Sequence, residues 1–227
     1  MTGFFVSVNQ TGVERMTENN LAGLLLAWYE QHGRELPWRV KGGAHPDPYV
    51  ILVSELMLQQ TTVKTVIPYF HRFMKRFPTV KDLAEATQEE VYFYWQGLGY
   101  YTRARSLHAT ARLVMEKFNG RFPEKREDVL KLKGIGPYTV ASFLALAFNQ
   151  PETVVDGNVI RVISRLFRLT EPVSEILPQI REKAAGLTDR TRPADYASAI
   201  MDLGAMICTP KNCLLYTSPS PRDRSVS

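Results

Sequence analysis

The chain has 227 residues, of which 44% are hydrophobic and 22% are charged, so it can bury one core or two small ones, and wholesale disorder is excluded. Its net charge of +5 permits a polyanionic partner. Two cysteines, Cys208 and Cys213, are too few for a disulfide scaffold, and neither an apolar run of about 20 residues nor a signal peptide is evident, so we expect an intracellular protein without a membrane segment.

Helical periodicity dominates the sequence, and no convincing alternating strand is found. An apolar stripe over 21–28 predicts a first helix that ends at Gly33. The pair Asp47-Pro48 is typical of a helix start and predicts a helix over 49–59. Apolar residues at helical spacing predict the next helix over 63–74.

The second half of the chain continues the helical pattern. Thr87 with Glu90 predicts a capping box at the start of a short helix that ends at Gly97. A long helix follows at 101–118, with Gly120 as its stop. Further helices are predicted at 126–131, 137–148, 157–168 and 193–207, with a weaker one at 174–186. Short helices with tight connections indicate an all-α fold.

The two ends of the chain lack these patterns. Residues 1–16 have no clear periodicity, and we expect a disordered or non-native extension there. Residues 213–227 are rich in Ser, Pro and Arg and cannot form a core. They read either as a natural flexible tail or as translated adapter read-through, which they resemble. We interpret them as read-through, so that the authentic sequence stops near Asn212.

The segment 132–141 contains two glycines between a short helix and a longer one. Gly134 and Gly136 leave no side chain to block a close approach, and Pro137 falls at the first helical position. Free backbone N–H groups at such a turn can face an anion such as a DNA phosphate. The alternative is an ordinary glycine-rich turn between helices.

Two acidic residues stand in apolar surroundings. Asp156 follows an apolar run and precedes a helix, so by itself it could be a plain N-cap. Glu55 lies in a helix that is otherwise almost wholly apolar from Val50 to Leu58. A carboxyl buried there would have a raised pKa, as a proton donor working near neutrality needs. The alternative for Glu55 is an exposed position or a partner in the core.

Aromatic and basic residues follow one another in two further segments. Tyr100 comes after two glycines and precedes Arg103, which suits intercalation and phosphate contact, whereas we expect Tyr101 to lie in the core. Trp38 and Arg39 stand together near the start of the chain, and Trp38 reads equally well as core packing.

Together these segments carry a resemblance that none of them would carry alone. In order they are 34–39, 54–61, 97–105, 132–141 and 154–162. The chain resembles the MutY-type adenine DNA glycosylases of the helix-hairpin-helix, endonuclease III-like superfamily over roughly residues 20–212. The resemblance implies a six-helix barrel with the hairpin at 40–150, and a second helical subdomain from 17–39 and 151–212 that normally carries an iron–sulfur cluster.

The resemblance also implies catalytic roles. Asp156 would face the sugar of an extruded nucleotide, with Asn158 of the same motif beside it, and Glu55 would protonate the departing base. Tyr138 stands where bifunctional relatives have a lysine that attacks the sugar. Because tyrosine cannot form a Schiff base, we expect a monofunctional enzyme.

The resemblance further implies a DNA-binding surface. Gln60, followed by Thr61, would enter the stack where the base was removed, and Tyr100 would be the wedge beside it. We expect phosphate or backbone contacts from Arg103, Gly134 and Gly136, and positions near the base pocket for Arg39 and Trp38. The partner would be double-stranded DNA with a mispaired, flipped-out base, bound by a monomer in the cytoplasm or nucleoid of a bacterial-type cell.

The chain departs from the family in two ways. Adenine glycosylases usually have Asn followed by Gln or Glu where Ala197 and Ser198 stand, and serine reaches less far toward a base. A [4Fe–4S] cluster needs four cysteine thiolates, and the family pattern implies Cys208 as the first. The second would fall at Leu215, and Cys213 is out of register, so this chain does not complete the cluster.

We therefore expect an enzyme that hydrolyses the N-glycosidic bond of adenine mispaired with 8-oxoguanine or guanine. A thymine or uracil mismatch glycosylase of the same superfamily is the alternative within enzymes, because Tyr138 occurs there as well. A non-catalytic helix-hairpin-helix module is the alternative outside enzymes, although such a module needs neither Glu55 nor Asp156.

Overall fold

The computed structural model describes residues 18–40 and 46–210, and within them the chain forms α-helices and no β-strand, which confirms the predicted all-α class. The helices are α1 (Glu18–His32), α2 (Pro48–Leu58), α3 (Val63–Arg76), α4 (Val80–Glu85), α5 (Gln88–Trp95), α6 (Tyr101–Phe118), α7 (Arg126–Val129), α8 (Pro137–Phe148), α9 (Gly157–Leu166), α10 (Val173–Leu187) and α11 (Pro193–Met206). The proposed extension at 1–16, the tail at 213–227 and Cys213 lie outside the described residues.

Side-chain caps start several of these helices. The Asp47 carboxylate accepts a hydrogen bond of 2.8 Å from the Tyr49 backbone, as the sequence predicted for α2. Thr87 accepts from the Glu90 backbone at 3.2 Å, but the predicted capping box is only half formed. The Glu90 carboxylate accepts from Arg76 Nε at 2.7 Å instead of returning to Thr87.

Two hydrophobic cores organise the helices. The first is surrounded by α2 to α8, with Trp95, Phe73 and Phe143 among its fully buried side chains. Helix α4, which the sequence did not predict, covers one side of it. Of the helices around this core, α4 and α7 have six residues or fewer. Trp38 also packs in this core, its ring centroid 5.2 Å from that of Phe70.

The second core joins the two ends of the described chain. Helices α1, α9, α10 and α11 bury residues that include Tyr29, Ile163, Ile180 and Ile200. A small apolar contact made by Ala145, Val154 and Ala197 connects the two units where α8 packs against α11. Among the described residues, no helix is both long and apolar enough to span a bilayer.

Candidate active site

A cavity of about 990 Å³ opens where the two helical units meet. Its walls come from α2 and α8 of the first unit and from α9 and α11 of the second. Its lining includes Glu55, Tyr138, Asp156, Asn158, Arg39 and Ser198. This volume lies at the upper end of the range for small-molecule sites, so a nucleoside fits inside it.

Glu55 lies in the last turn of α2, with its carboxyl facing the cavity. Burial raises the pKa of Glu55 to about 7, the Ser142 hydroxyl lowers it, the Asp156 carboxylate raises it, and Arg39 lowers it. Because burial dominates, a substantial fraction of Glu55 keeps its proton near pH 7. A neutral carboxylic acid in a cavity is equipped to donate a proton to a bound group.

Asp156 is the N-cap of α9. Its Oδ1 accepts from the Val159 backbone N–H at 2.7 Å, and its Oδ2 accepts from the Asn158 side-chain amide at 2.7 Å. Arg161 in turn donates to Asn158 Oδ1 at 2.9 Å. Asp156 is therefore an N-cap, as its position before a helix predicted, and it also lines the cavity.

Gly204 allows α11 to approach the start of α9 closely. A Cβ at position 204 would lie 2.5 Å from Asn158 Cβ, a contact that real side chains do not make. Arg161 also donates to the Gly204 carbonyl at 2.6 Å. This close approach holds Asn158, and through it Asp156, against the wall of the cavity.

Tyr138 and Ser142 lie one turn apart on α8 and share a face. Tyr138 is 38% exposed and lines the cavity; burial of its hydroxyl, followed by the charges of Glu55 and Asp156, raises the pKa of Tyr138 above its ordinary value. Ser142 is fully buried, and its hydroxyl lowers the pKa of both Glu55 and Tyr138. The sequence did not single out Ser142, although its spacing of four from Tyr138 was a usable signal.

Asp202 holds two arginines at the cavity. Its carboxylate is inaccessible and accepts from Arg34 Nε at 2.7 Å and from Arg39 Nη1 at 2.8 Å. Burial raises the pKa of Asp202, but hydrogen bonds and charges from Arg39 and Arg34 outweigh that effect and keep it below its ordinary value. In the sequence Asp202 stands in the apolar second half of α11, a signal similar to that of Glu55 in α2.

The hairpin before α8 is formed around the two glycines noted in the sequence, Gly134 and Gly136. Gly134 has φ +77°, and a Cβ there would lie 2.6 Å from Ser106 Cβ, so only glycine fits. Gly136 is the N-cap of α8 in extended backbone and faces open space. Thr110 Oγ1 accepts from the Lys133 N–H at 2.8 Å and so ties the hairpin to α6.

Two loops present the predicted intercalating side chains. Gln60 has φ 58° and is exposed, and Tyr100 has φ 48° and is 60% exposed. Thr61, which follows Gln60 in the chain, lines the cavity. Tyr101, expected in the core, is 42% exposed and packs edge-on against Tyr92 because α6 begins at the surface.

Arg103 does not have the position expected of a phosphate contact. It is 6% exposed, and its guanidinium points into the protein toward backbone carbonyls. Arg39 and Trp38 both line the cavity, although Trp38 belongs to the first core. Ala197 and Ser198 are buried, and Ser198 lines the cavity, so the short side chain noted in the sequence faces the site.

Cys208 is completely buried after α11, and its Sγ accepts from Arg165 Nη1 at 3.2 Å. Within the described residues, no group of three or more Cys, His, Asp or Glu could hold a metal ion. A [4Fe–4S] cluster takes four thiolates, and the sequence contains two cysteines. The residues of this chain therefore do not fit a complete cluster.

The chain is similar to known DNA repair proteins. The family model described as HhH-GPD superfamily base excision DNA repair protein matches residues 53–185. The chain is 45% identical over 202 residues to an adenine DNA glycosylase of Rattus norvegicus, covering 86% of the chain and 39% of that relative. An adenine DNA glycosylase of Buchnera aphidicola is 39% identical over 189 residues, covering 83% of the chain and 53% of that relative.

Among solved structures, a thermostable thymine-DNA glycosylase superposes with a TM-score of 0.74 at 29% identity, covering 86% of this chain and 88% of that chain. The chain spans 39% and 53% of the lengths of the two curated relatives above, whereas it matches most of this structure.

Proposed function

Because the chain belongs to the HhH-GPD superfamily of base excision DNA repair proteins, we propose that it is a monofunctional DNA glycosylase that removes adenine mispaired with 8-oxoguanine or guanine. One observation carries the proposal. Glu55, with a pKa raised to about 7, and Asp156, with both carboxylate oxygens held by donors, line the same cavity. The identity to adenine DNA glycosylases supports adenine as the base.

The first step is protonation of the base. Adenine leaves poorly as an anion, so the neutral Glu55 carboxylic acid donates its proton to a ring nitrogen of the extruded base. The C1′–N bond then breaks, its electron pair stays with the base, and adenine departs as a neutral molecule. The sugar is left as an oxocarbenium ion, and Glu55 is left as a carboxylate.

The second step is capture of the sugar cation. The Asp156 carboxylate stabilises the positive charge or bonds to C1′, and a water molecule then supplies the hydroxyl group of the abasic site. The Glu55 carboxylate accepts the proton that this water releases, which restores the acid for the next cycle. Tyr138 has no amine, so no Schiff base forms and the DNA strand is not cut at this stage.

The remaining features support duplex DNA as the substrate. The glycine hairpin and the first turn of α8 offer backbone N–H groups to a phosphate. Gln60 and Tyr100, both exposed, suit insertion into the stack when a base is flipped out. We expect a monomer that works in the compartment that holds the genome. An iron–sulfur cluster would require cysteines in addition to the two in this sequence.

A thymine or uracil mismatch glycosylase is the second candidate. Ser198, a short side chain on the cavity wall, and the similarity to a thymine-DNA glycosylase structure both favour it. The pair of carboxyls in one cavity argues against a purely DNA-binding module, because binding alone does not require them.

The test uses four duplexes with A opposite 8-oxoguanine, A opposite G, T opposite G and U opposite G. Alkali-induced strand breaks report base loss, and breaks at A without alkali would contradict the monofunctional assignment. Excision of A by the wild type, and its loss in Asp156→Asn, is the expected result. Breaks only at T or U would overturn the adenine assignment, and breaks in none would favour the binding module.

A further inference from the structure

We propose that Arg103 is a positioning residue that clamps together the loop carrying Gln60 and the loop carrying Tyr100, so that both side chains meet DNA as one rigid unit. We call residues 59–62 the Gln60 loop and residues 96–100 the Tyr100 loop. The inference rests on the proposed function for its purpose, whereas the clamp itself is a property of the free protein.

One side of the Arg103 guanidinium holds the Gln60 loop. Its Nη1 donates to the carbonyl of Met57 at 2.9 Å, to the carbonyl of Gln59 and to Thr61 Oγ1 at 3.1 Å. These contacts lie on both sides of Gln60. They bind the end of α2 and the start of the loop to α6.

The other side of the same guanidinium holds the Tyr100 loop. Its Nη2 donates to the carbonyl of Leu98 at 3.1 Å and to the carbonyl of Gly99 at 3.3 Å. The Arg103 Cζ also lies 5.2 Å from the centre of the Tyr100 ring and 5.6 Å from that of Trp95. A cation against an aromatic face attracts the ring, so Tyr100 is oriented as well as placed.

Backbone strain indicates why a clamp is needed. Gln60 and Tyr100 both have left-handed backbone, with φ 58° and φ 48°. A residue other than glycine adopts this region only at an energetic cost and persists there only when its surroundings fix it. Arg103 bonds the carbonyl immediately before each of them, those of Gln59 and Gly99.

Only an arginine can make this arrangement. The planar guanidinium directs donors to opposite sides, whereas the lysine ammonium is a single point. The hydrogen bonds of Arg103 to described residues all go to neutral oxygens, and the side chain is 6% exposed. The guanidinium therefore bonds groups inside the protein and does not contact a DNA phosphate.

The test compares wild type with Arg103→Lys, and uses Arg105→Gln as the matched control because Arg105 is exposed on the same helix. Amide hydrogen exchange of the free protein is expected to accelerate in both loops in Arg103→Lys and in neither loop in Arg105→Gln. Exchange of the Gln60 loop at the wild-type rate in Arg103→Lys would overturn the clamp. This measurement needs no DNA, so it stands whatever base the enzyme removes.

DNA then separates a clamp from a phosphate contact. For Arg103→Lys we expect the single-turnover excision rate to fall by about tenfold to a hundredfold, with a smaller fluorescence increase from 2-aminopurine at the target site. The salt dependence of binding is expected to stay as in the wild type. An Arg103→Gln variant gives the opposite result if Arg103 contacts a phosphate. The slope of log Kd against log salt concentration would then fall by about one unit, and the excision rate would fall only in proportion to binding.

A milder variant covers the case in which Arg103→Lys does not fold. Thr61→Val removes one acceptor of Arg103 at a partly exposed position. Because the clamp joins the loops, amides of the Tyr100 loop are expected to exchange faster in this variant. Faster exchange confined to the Gln60 loop would overturn the coupling.

Discussion

Replacing Glu55 with glutamine keeps the size of the side chain and removes its ability to ionise. Burial raises the pKa of Glu55 from an ordinary value of 4.5 to about 7, so the native state holds a proton that the unfolded chain releases. The free energy of unfolding must then fall as the pH rises through this window. At about 1.4 kcal/mol for each pKa unit, the whole effect is about 3 kcal/mol, of which about 2 kcal/mol is lost between about pH 5.5 and pH 8.

Urea unfolding followed by tryptophan fluorescence measures this effect. The stability difference between Glu55→Gln and wild type is expected to shift by about 2 kcal/mol in favour of the variant from about pH 5.5 to pH 8. Glu116→Gln, at an exposed position on α6, controls for the substitution itself. Parallel pH dependence of wild type and Glu55→Gln would refute the raised pKa, and with it the role of Glu55 as an acid near neutrality.

Three further substitutions test the rest of the site. Asp156→Asn keeps the N-cap of α9, because asparagine also caps, and is expected to lower single-turnover excision at least about a hundredfold. Because asparagine has one acceptor oxygen where Asp156 uses two, urea unfolding should show a loss of no more than about 2 kcal/mol. Ser142→Ala removes a group that lowers the pKa of Glu55, so the alkaline limb of the excision rate should move to higher pH, whereas Ser54→Ala, whose hydroxyl bonds Ile51 within α2, should leave it in place. Asp202→Asn leaves two arginines without their carboxylate and is expected to cost about 3 kcal/mol at neutral pH in urea unfolding. Because the pKa of Asp202 lies below its ordinary value of 3.8, this contribution is lost on acidification, and wild type and variant should converge below that pH.

The helices were predictable where strong local signals bound them. Helices α6 and α8 have the predicted limits because Pro137 occupies the first turn of α8, and Asn119 and Asn149 end the two helices in left-handed backbone. The four-residue α7 lies within the helix predicted at 126–131, whereas the six-residue α4 was missed, so helix length alone does not explain the difference. The capping box of α4, Thr79 with Asp82, was nevertheless present in the sequence.

The site was predictable to the extent that its signals were local. Glu55 stood out as an acid within an apolar helix, and the same signal identifies Asp202 once it is sought. The position of Arg103 was not predictable in this way. An arginine beside glycine and tyrosine reads as a surface residue, because only the folded chain brings the carbonyls of the α2 end to its guanidinium.

The two carboxyls lie at different ends of their helices. Asp156 caps the N-terminus of α9, where its carboxylate accepts from the Val159 N–H. Glu55 lies in the last turn of α2, where burial opposes its ionisation and raises its pKa to about 7. The two carboxyls are therefore held differently before any DNA is bound: Glu55 is buried in the cavity wall, and Asp156 has a hydrogen-bond donor on each of its oxygens.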